Sequence, residues 1–107
     1  AIRAGEVTQA VRSTQTPAGP VAEGDWMGIV RGDGIVAVAA SVAAATQALL
    51  DHLVDEDTEL VTLIVGADAD ESTTAEIETW LRTSRPGVEV EVHEGGQPLY
   101  PYLLGVE

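Results

Sequence analysis

Between Ile35 and Val92 the chain switches twice from a strand-like to a helix-like hydrophobic pattern, and this alternation restricts the fold more than any other feature. Ile35 to Ala39 is a short apolar run. Ser41 then stands as an N-cap before a helix predicted over Val42 to Val54, in which Val42, Ala45, Leu49 and Leu53 share one face. Asp55-Glu56-Asp57 ends that pattern. Leu60 to Val65 is almost continuously apolar, which predicts a central strand covered on both sides. Asp70 or Ser72 caps a second helix that turns Ile77, Trp80 and Leu81 inward and stops at Arg85-Pro86-Gly87. From Val88 to His93 the alternation is strict, so three valines face the core while Glu89, Glu91 and His93 face water. Strand, helix, strand, helix, strand makes two successive crossover units, which favour parallel neighbours and right-handed connections.

Upstream, Glu6 to Ser13 is expected to form a first strand and Thr14 to Pro20 a loop rich in proline and glycine. Trp26 to Arg31 and Ile35 to Ala39 flank Gly32-Asp33-Gly34, the spacing of a hairpin whose glycines supply positive φ. With the final Tyr102 to Val106 run, the prediction is a single α/β domain over 1–107. It has a mixed sheet of about five or six strands, an N-terminal hairpin and two crossover helices. The 107 residues suit one core, and a first residue other than Met raises the expectation of a fragment from a longer, multidomain protein.

Eighteen acids against five bases, all arginine, leave a net charge of −13. Such a surface repels phosphate backbones and anionic lipids, so nucleic acid and direct membrane insertion are not expected, whereas a basic protein surface is compatible. The absence of cysteine removes thiolate nucleophiles, disulfides and cysteine-held metals. No apolar run approaches the roughly 18 residues of a membrane span, and Ala1 to Gly5 lacks the pattern of a signal peptide.

The turn Gly66-Ala67-Asp68-Ala69-Asp70-Glu71 follows a strand and precedes a helix, where α/β proteins place ligands. Its acids repel phosphate. Asp68, Asp70 and Glu71, with His93, offer a candidate metal-assisted catalytic cluster, although capping and the helix dipole already account for acids at a helix start. His52 and His93 are the two side chains whose ordinary range lies near neutrality. His52 falls in the last helical turn beside acids, an ordinary surface position. None of Ser13, Ser41, Ser72 and Ser84 sits in a nucleophile elbow, and neither a Walker A loop nor a dinucleotide fingerprint occurs, so no catalytic residue is assigned. Gly95-Gly96-Gln97 is similar to the tripeptide of peptide release factors, but an acidic domain is unsuited to RNA. Arg31-Gly32-Asp33 matches an adhesion tripeptide, and the hairpin explains it.

Gln97-Pro98-Leu99-Tyr100-Pro101-Tyr102-Leu103-Leu104 concentrates two prolines and two tyrosines near the C-terminus. Proline stiffens the chain and tyrosine supplies rigid amphipathic area, a combination that serves an interface or covers the domain's own core. His93, Gly95, Gly96, Gln97, Tyr100 and Tyr102 are the candidate partner-binding residues.

The run from Val88 through Glu94-Gly95-Gly96-Gln97-Pro98 to Leu103 resembles the C-terminal signature of the dihydroxyacetone-kinase-like proteins typified by the A-type component of fatty acid kinase, also grouped as a Dak phosphatase family. Gly5-Glu6-Val7-Thr8, Ala10-Val11-Arg12, Glu23-Gly24-Asp25 and Glu59-Leu60-Val61-Thr62-Leu63 before Gly66 extend the resemblance over nearly the whole chain. Glu94 stands where that family commonly has aspartate, and Leu104-Gly105 where it has Ile-Ser. The resemblance implies a C-terminal docking domain of a bacterial, cytoplasmic kinase. ATP and Mg²⁺ would belong to an N-terminal domain absent here, and this chain would hold no cofactor. Its implied partners are a fatty-acid-binding subunit of the DegV-like type, whose acyl chain becomes an acyl phosphate, and the parent protein's own N-terminal and middle domains. A purely intramolecular scaffold is the remaining alternative.

Overall fold

The computed structural model describes residues 2–107. In chain order it contains β1 (Arg3–Gln9), β2 (Thr14–Thr16), β3 (Gly19–Val21), β4 (Trp26–Val30), β5 (Gly34–Ala39), α1 (Val42–Leu53), β6 (Leu60–Val65), α2 (Glu71–Ser84), β7 (Glu89–Glu94) and β8 (Tyr102–Val106). Six strands form one mixed sheet in the order β5-β4-β1-β8-β6-β7, and β2 and β3 form a separate two-stranded ribbon. The expected α/β architecture with a hairpin and two helices is therefore present. The first strand lies earlier than expected, and the ribbon occupies the segment expected to be a loop, with Thr14 opposite Val21 and Thr16 opposite Gly19.

The hairpin of β4 and β5 turns where glycine permits it, with φ of +92° at Gly32 and +88° at Gly34. Ser41 caps α1 through its hydroxyl, which accepts from the Ala44 amide at 3.1 Å. Asp70 caps α2, its carboxylate accepting from the Ser72 amide at 3.1 Å. Only β6 and β7 are parallel neighbours among the described residues. The first crossover, from β5 through α1 to β6, spans three intervening strands, β4, β1 and β8. The last strand of the chain enters the middle of the sheet, antiparallel to both β1 and β6, and there Tyr102, Leu104 and Val106 are all buried beneath the helices.

Both helices pack on one face. Leu49, Leu50, Leu53, Ile77 and Leu81 interlock there with Val7, Val61, Leu63, Tyr102 and Leu104, all at most 3% exposed. The approach is close enough that a Cβ on Gly28 would come within 2.9 Å of Leu49 Cβ.

The opposite face carries no helix among the described residues, which corrects the expectation that β6 is covered on both sides. Val61, Leu63 and Val65 are buried, but Leu60, Thr62 and Ile64 are only half-buried. Its neighbours repeat the pattern, with Leu103 half-buried beside buried Tyr102 and Leu104, and Ile29 half-buried beside buried Gly28 and Val30. An open groove of about 400 Å³ runs along this face, lined by Ile2, Ala4, Glu6, Arg31, Ile64 and Leu103 among others. Among the described residues no helix is long and apolar enough to cross a membrane.

Candidate functional site

The carboxyl ends of β6 and β7, the start of β8 and the end of β1 meet at one end of the sheet, and the segment from His93 to Tyr102 is folded over that end. Backbone bonds fasten it. The amides of Gly95 and Gly96 donate to the Val65 carbonyl at 2.9 and 3.0 Å, the Gly66 amide donates to Pro101 at 2.8 Å, and the Ala67 amide donates to Gln97 at 3.0 Å. Gln97 adds a side-chain brace, with Nε2 donating to the carbonyls of both Ile64 and Tyr100 at 3.0 Å. The glycines are required by this closeness. A Cβ on Gly95 would collide with Ile64 and the Gln97 side chain, and one on Gly66 would collide with the Tyr100 carbonyl.

The candidate residues divide by exposure. His93, Gly95 and Gly96 are exposed, Gln97 and Tyr100 are half-buried, and Tyr102 is buried in the core. The Tyr102 hydroxyl shares a hydrogen bond with Thr74 of α2 at 2.5 Å. Burial pushes its phenol up from the ordinary value, the Asp70 carboxylate adds to the rise, and the Thr74 bond opposes it. Of the two tyrosines, Tyr102 thus packs the core while Tyr100 stays at the surface. The His93 ring lies 3.0 Å from the Glu91 carboxylate on the uncovered face of the sheet.

One surface residue escaped sequence reasoning. Leu99 is 75% exposed and is the one non-glycine residue with positive φ, +69°, among those described. The Tyr100 amide donates to the Pro98 carbonyl at 2.8 Å, closing a three-residue γ-turn with Leu99 at its apex. No local signal distinguishes such a leucine from a core leucine beside prolines.

Asp68, Asp70, Glu71 and His93 do not assemble. Asp70 is engaged in capping, His93 is engaged with Glu91, and no group of three or more His, Asp or Glu side chains that could hold a metal ion occurs among the described residues. A cleft lined by Gly66, Glu71, Thr74, Glu78, Glu94 and Gly96 does open at this end of the sheet. Its three carboxylates give it the wrong sign for phosphate. His52, in the last turn of α1, is exposed.

The arrangement offers a rigid, solvent-facing edge, and comparison with known proteins places the chain in a family. The FakA-like C-terminal family model, which describes the C-terminal part of proteins like the A-type component of fatty acid kinase, matches residues 1–107. An uncharacterized protein of Staphylococcus saprophyticus is 40% identical over 107 residues, which is all of this chain and 19% of that protein. One from Staphylococcus epidermidis is 41% identical over 106 residues, covering 99% of the chain and 19% of the relative. A third, from Staphylococcus aureus, is 37% identical over the same length and share. The chain thus spans about a fifth of the length of these relatives, and it belongs to the FakA-like C-terminal family of fatty acid kinase components.

Proposed function

We propose that this domain docks a fatty-acid-kinase-like protein onto a fatty-acid-binding subunit of the DegV-like type, through the His93 to Tyr100 segment and the neighbouring acidic strand. In this reading the parent protein works in the bacterial cytoplasm. ATP and Mg²⁺ are bound by another domain, where the fatty acid carboxylate attacks the γ-phosphorus to give an acyl phosphate and ADP. The domain's task is to hold the acyl-carrying partner in position, which makes a two-substrate reaction effectively intramolecular.

The observation that supports docking most is the bracing of an exposed segment. Gln97, Gly66 and Gly95 are all fitted to it, and an interface gains affinity when its loops are ordered before binding. The acidic surface suits a protein partner with basic character. The test is calorimetric titration of the intact protein with the fatty-acid-binding subunit, comparing wild type with a His93→Ala, Tyr100→Ala double variant. Weakening by at least about tenfold supports the docking edge, since two such side chains at an interface contribute on that scale. Equal affinities refute it.

A further inference from the structure

The three-residue turn at Leu99 is costly to build. A leucine held at positive φ is sterically disfavoured, and a turn of this kind ordinarily selects glycine or asparagine at its apex. Here it is fixed from three sides. Pro98 and Pro101 restrict the chain around it, Gln97 holds the Tyr100 carbonyl, and Thr8 Oγ1 donates to the Leu99 carbonyl at 3.0 Å. The result is a large apolar side chain at the apex of a rigid support, three-quarters exposed.

Its surroundings define what fits. Thr8 stands on the uncovered face of the sheet, opposite Met27. Ile64 and Leu103 pair with each other on the same face. The Thr8 hydroxyl thus ties the Leu99 turn to the end of the face that carries Ile64 and Leu103. Acids fringe that surface, because Glu6 pairs with Leu103 and Glu91 flanks Thr62 on the same face. Arg31 is the one cation lining the groove among the described residues.

From these observations we infer that Leu99 is the anchor of the docking surface, a preorganised side chain that enters an apolar pocket rimmed by lysine and arginine on the fatty-acid-binding subunit. This rests on the docking reading above and adds the residue that carries it and the chemistry of the matching site. Charge selects this occupant over a second copy of the chain, since two copies, each at −13, would bring acid against acid around the same patch. Anchors of this kind carry a large share of interface energy when they are rigid and fully desolvated on binding.

The experiment titrates the intact protein with the fatty-acid-binding subunit, using wild type, Leu99→Gly, Leu99→Asn and Leu99→Met. Glycine and asparagine accept the positive φ more readily, so the thermal midpoint of both variants holds or rises, while affinity falls by about 10- to 100-fold. Methionine keeps apolar volume at the apex and retains affinity within about threefold of wild type. Raising the salt concentration weakens wild-type binding, as expected of a cationic rim meeting an acidic fringe. If Leu99→Asn binds within about twofold of wild type, Leu99 is not the anchor even though docking stands. If Leu99→Met loses as much as Leu99→Asn, or if Leu99→Asn instead converts a self-associated protein to a smaller species while its hold on the partner is unchanged, the anchor assignment is also wrong. If wild type fails to bind the fatty-acid-binding protein, the docking reading fails and the anchor with it.

Discussion

Gln97 and Ile64 are joined across the end of the sheet, the Gln97 amide donating to the Ile64 carbonyl at 3.0 Å while the same nitrogen holds Tyr100. Thirty-three residues apart in sequence, they tie the last turn of the chain to its central parallel strand. Gln97→Ala removes both bonds from partly buried carbonyls and should cost about 1–3 kcal/mol in chemical denaturation. Gln97→Glu should cost more, since it turns an acceptor toward two acceptors.

Tyr102 couples the same strand end to α2. Tyr102→Phe keeps the ring and removes one hydrogen bond, for an expected loss of about 0.5–1.5 kcal/mol, because Thr74 retains the Asp70 carbonyl at 3.2 Å as an alternative partner. The phenol's raised pKa sets the pH dependence. Below its ordinary value near 10, both folded and unfolded chains keep the proton and stability is full. Above that, the unfolded chain releases the proton first, so stability falls as pH climbs toward the higher folded value. Denaturation between about pH 9 and 11 should show a downward slope that is reduced in Tyr102→Phe.

Two glycines give opposite expectations. A Cβ on Gly66 meets the Tyr100 carbonyl, which is backbone and unable to swing aside, so Gly66→Ala should destabilise by at least about 3 kcal/mol. Gly87 has open space around the corresponding point, and Gly87→Ala should be neutral or stabilise by up to about 1 kcal/mol. Thermal melts of the two variants separate these outcomes directly.

What could be read from the residues follows from how local each signal is. The β4–β5 hairpin is written in Gly32 and Gly34, and α1 in Ser41 and the spacing of Ala45, Leu49 and Leu53, each decided within one or two turns of chain. The position of β8 between β1 and β6 depends on partners far away in sequence, which periodicity does not encode. Leu60 and Ile64 misled for a related reason. Apolar residues on a strand imply burial, and here they lie on a face that the domain itself leaves open. The segment from His93 to Tyr102 is conspicuous in the sequence as a candidate edge, but its division into a buried Tyr102, a bracing Gln97 and an outward Leu99 rests on backbone geometry alone.

Helix capping provides an independent check on the covered face. Ser41→Ala leaves the Ala44 amide without its acceptor and should lower stability by about 1 kcal/mol without altering any property of the opposite face. Measured together, denaturation and affinity for the partner should move separately in this variant.

The most direct measurement of docking is hydrogen exchange on the intact protein with and without the fatty-acid-binding subunit. The expected result is added protection across residues 93–103 and along β6, β7 and β8, with α1 and the outer face of α2 unchanged. Protection confined to the helices, or none anywhere under saturating partner, would contradict docking through this end of the sheet.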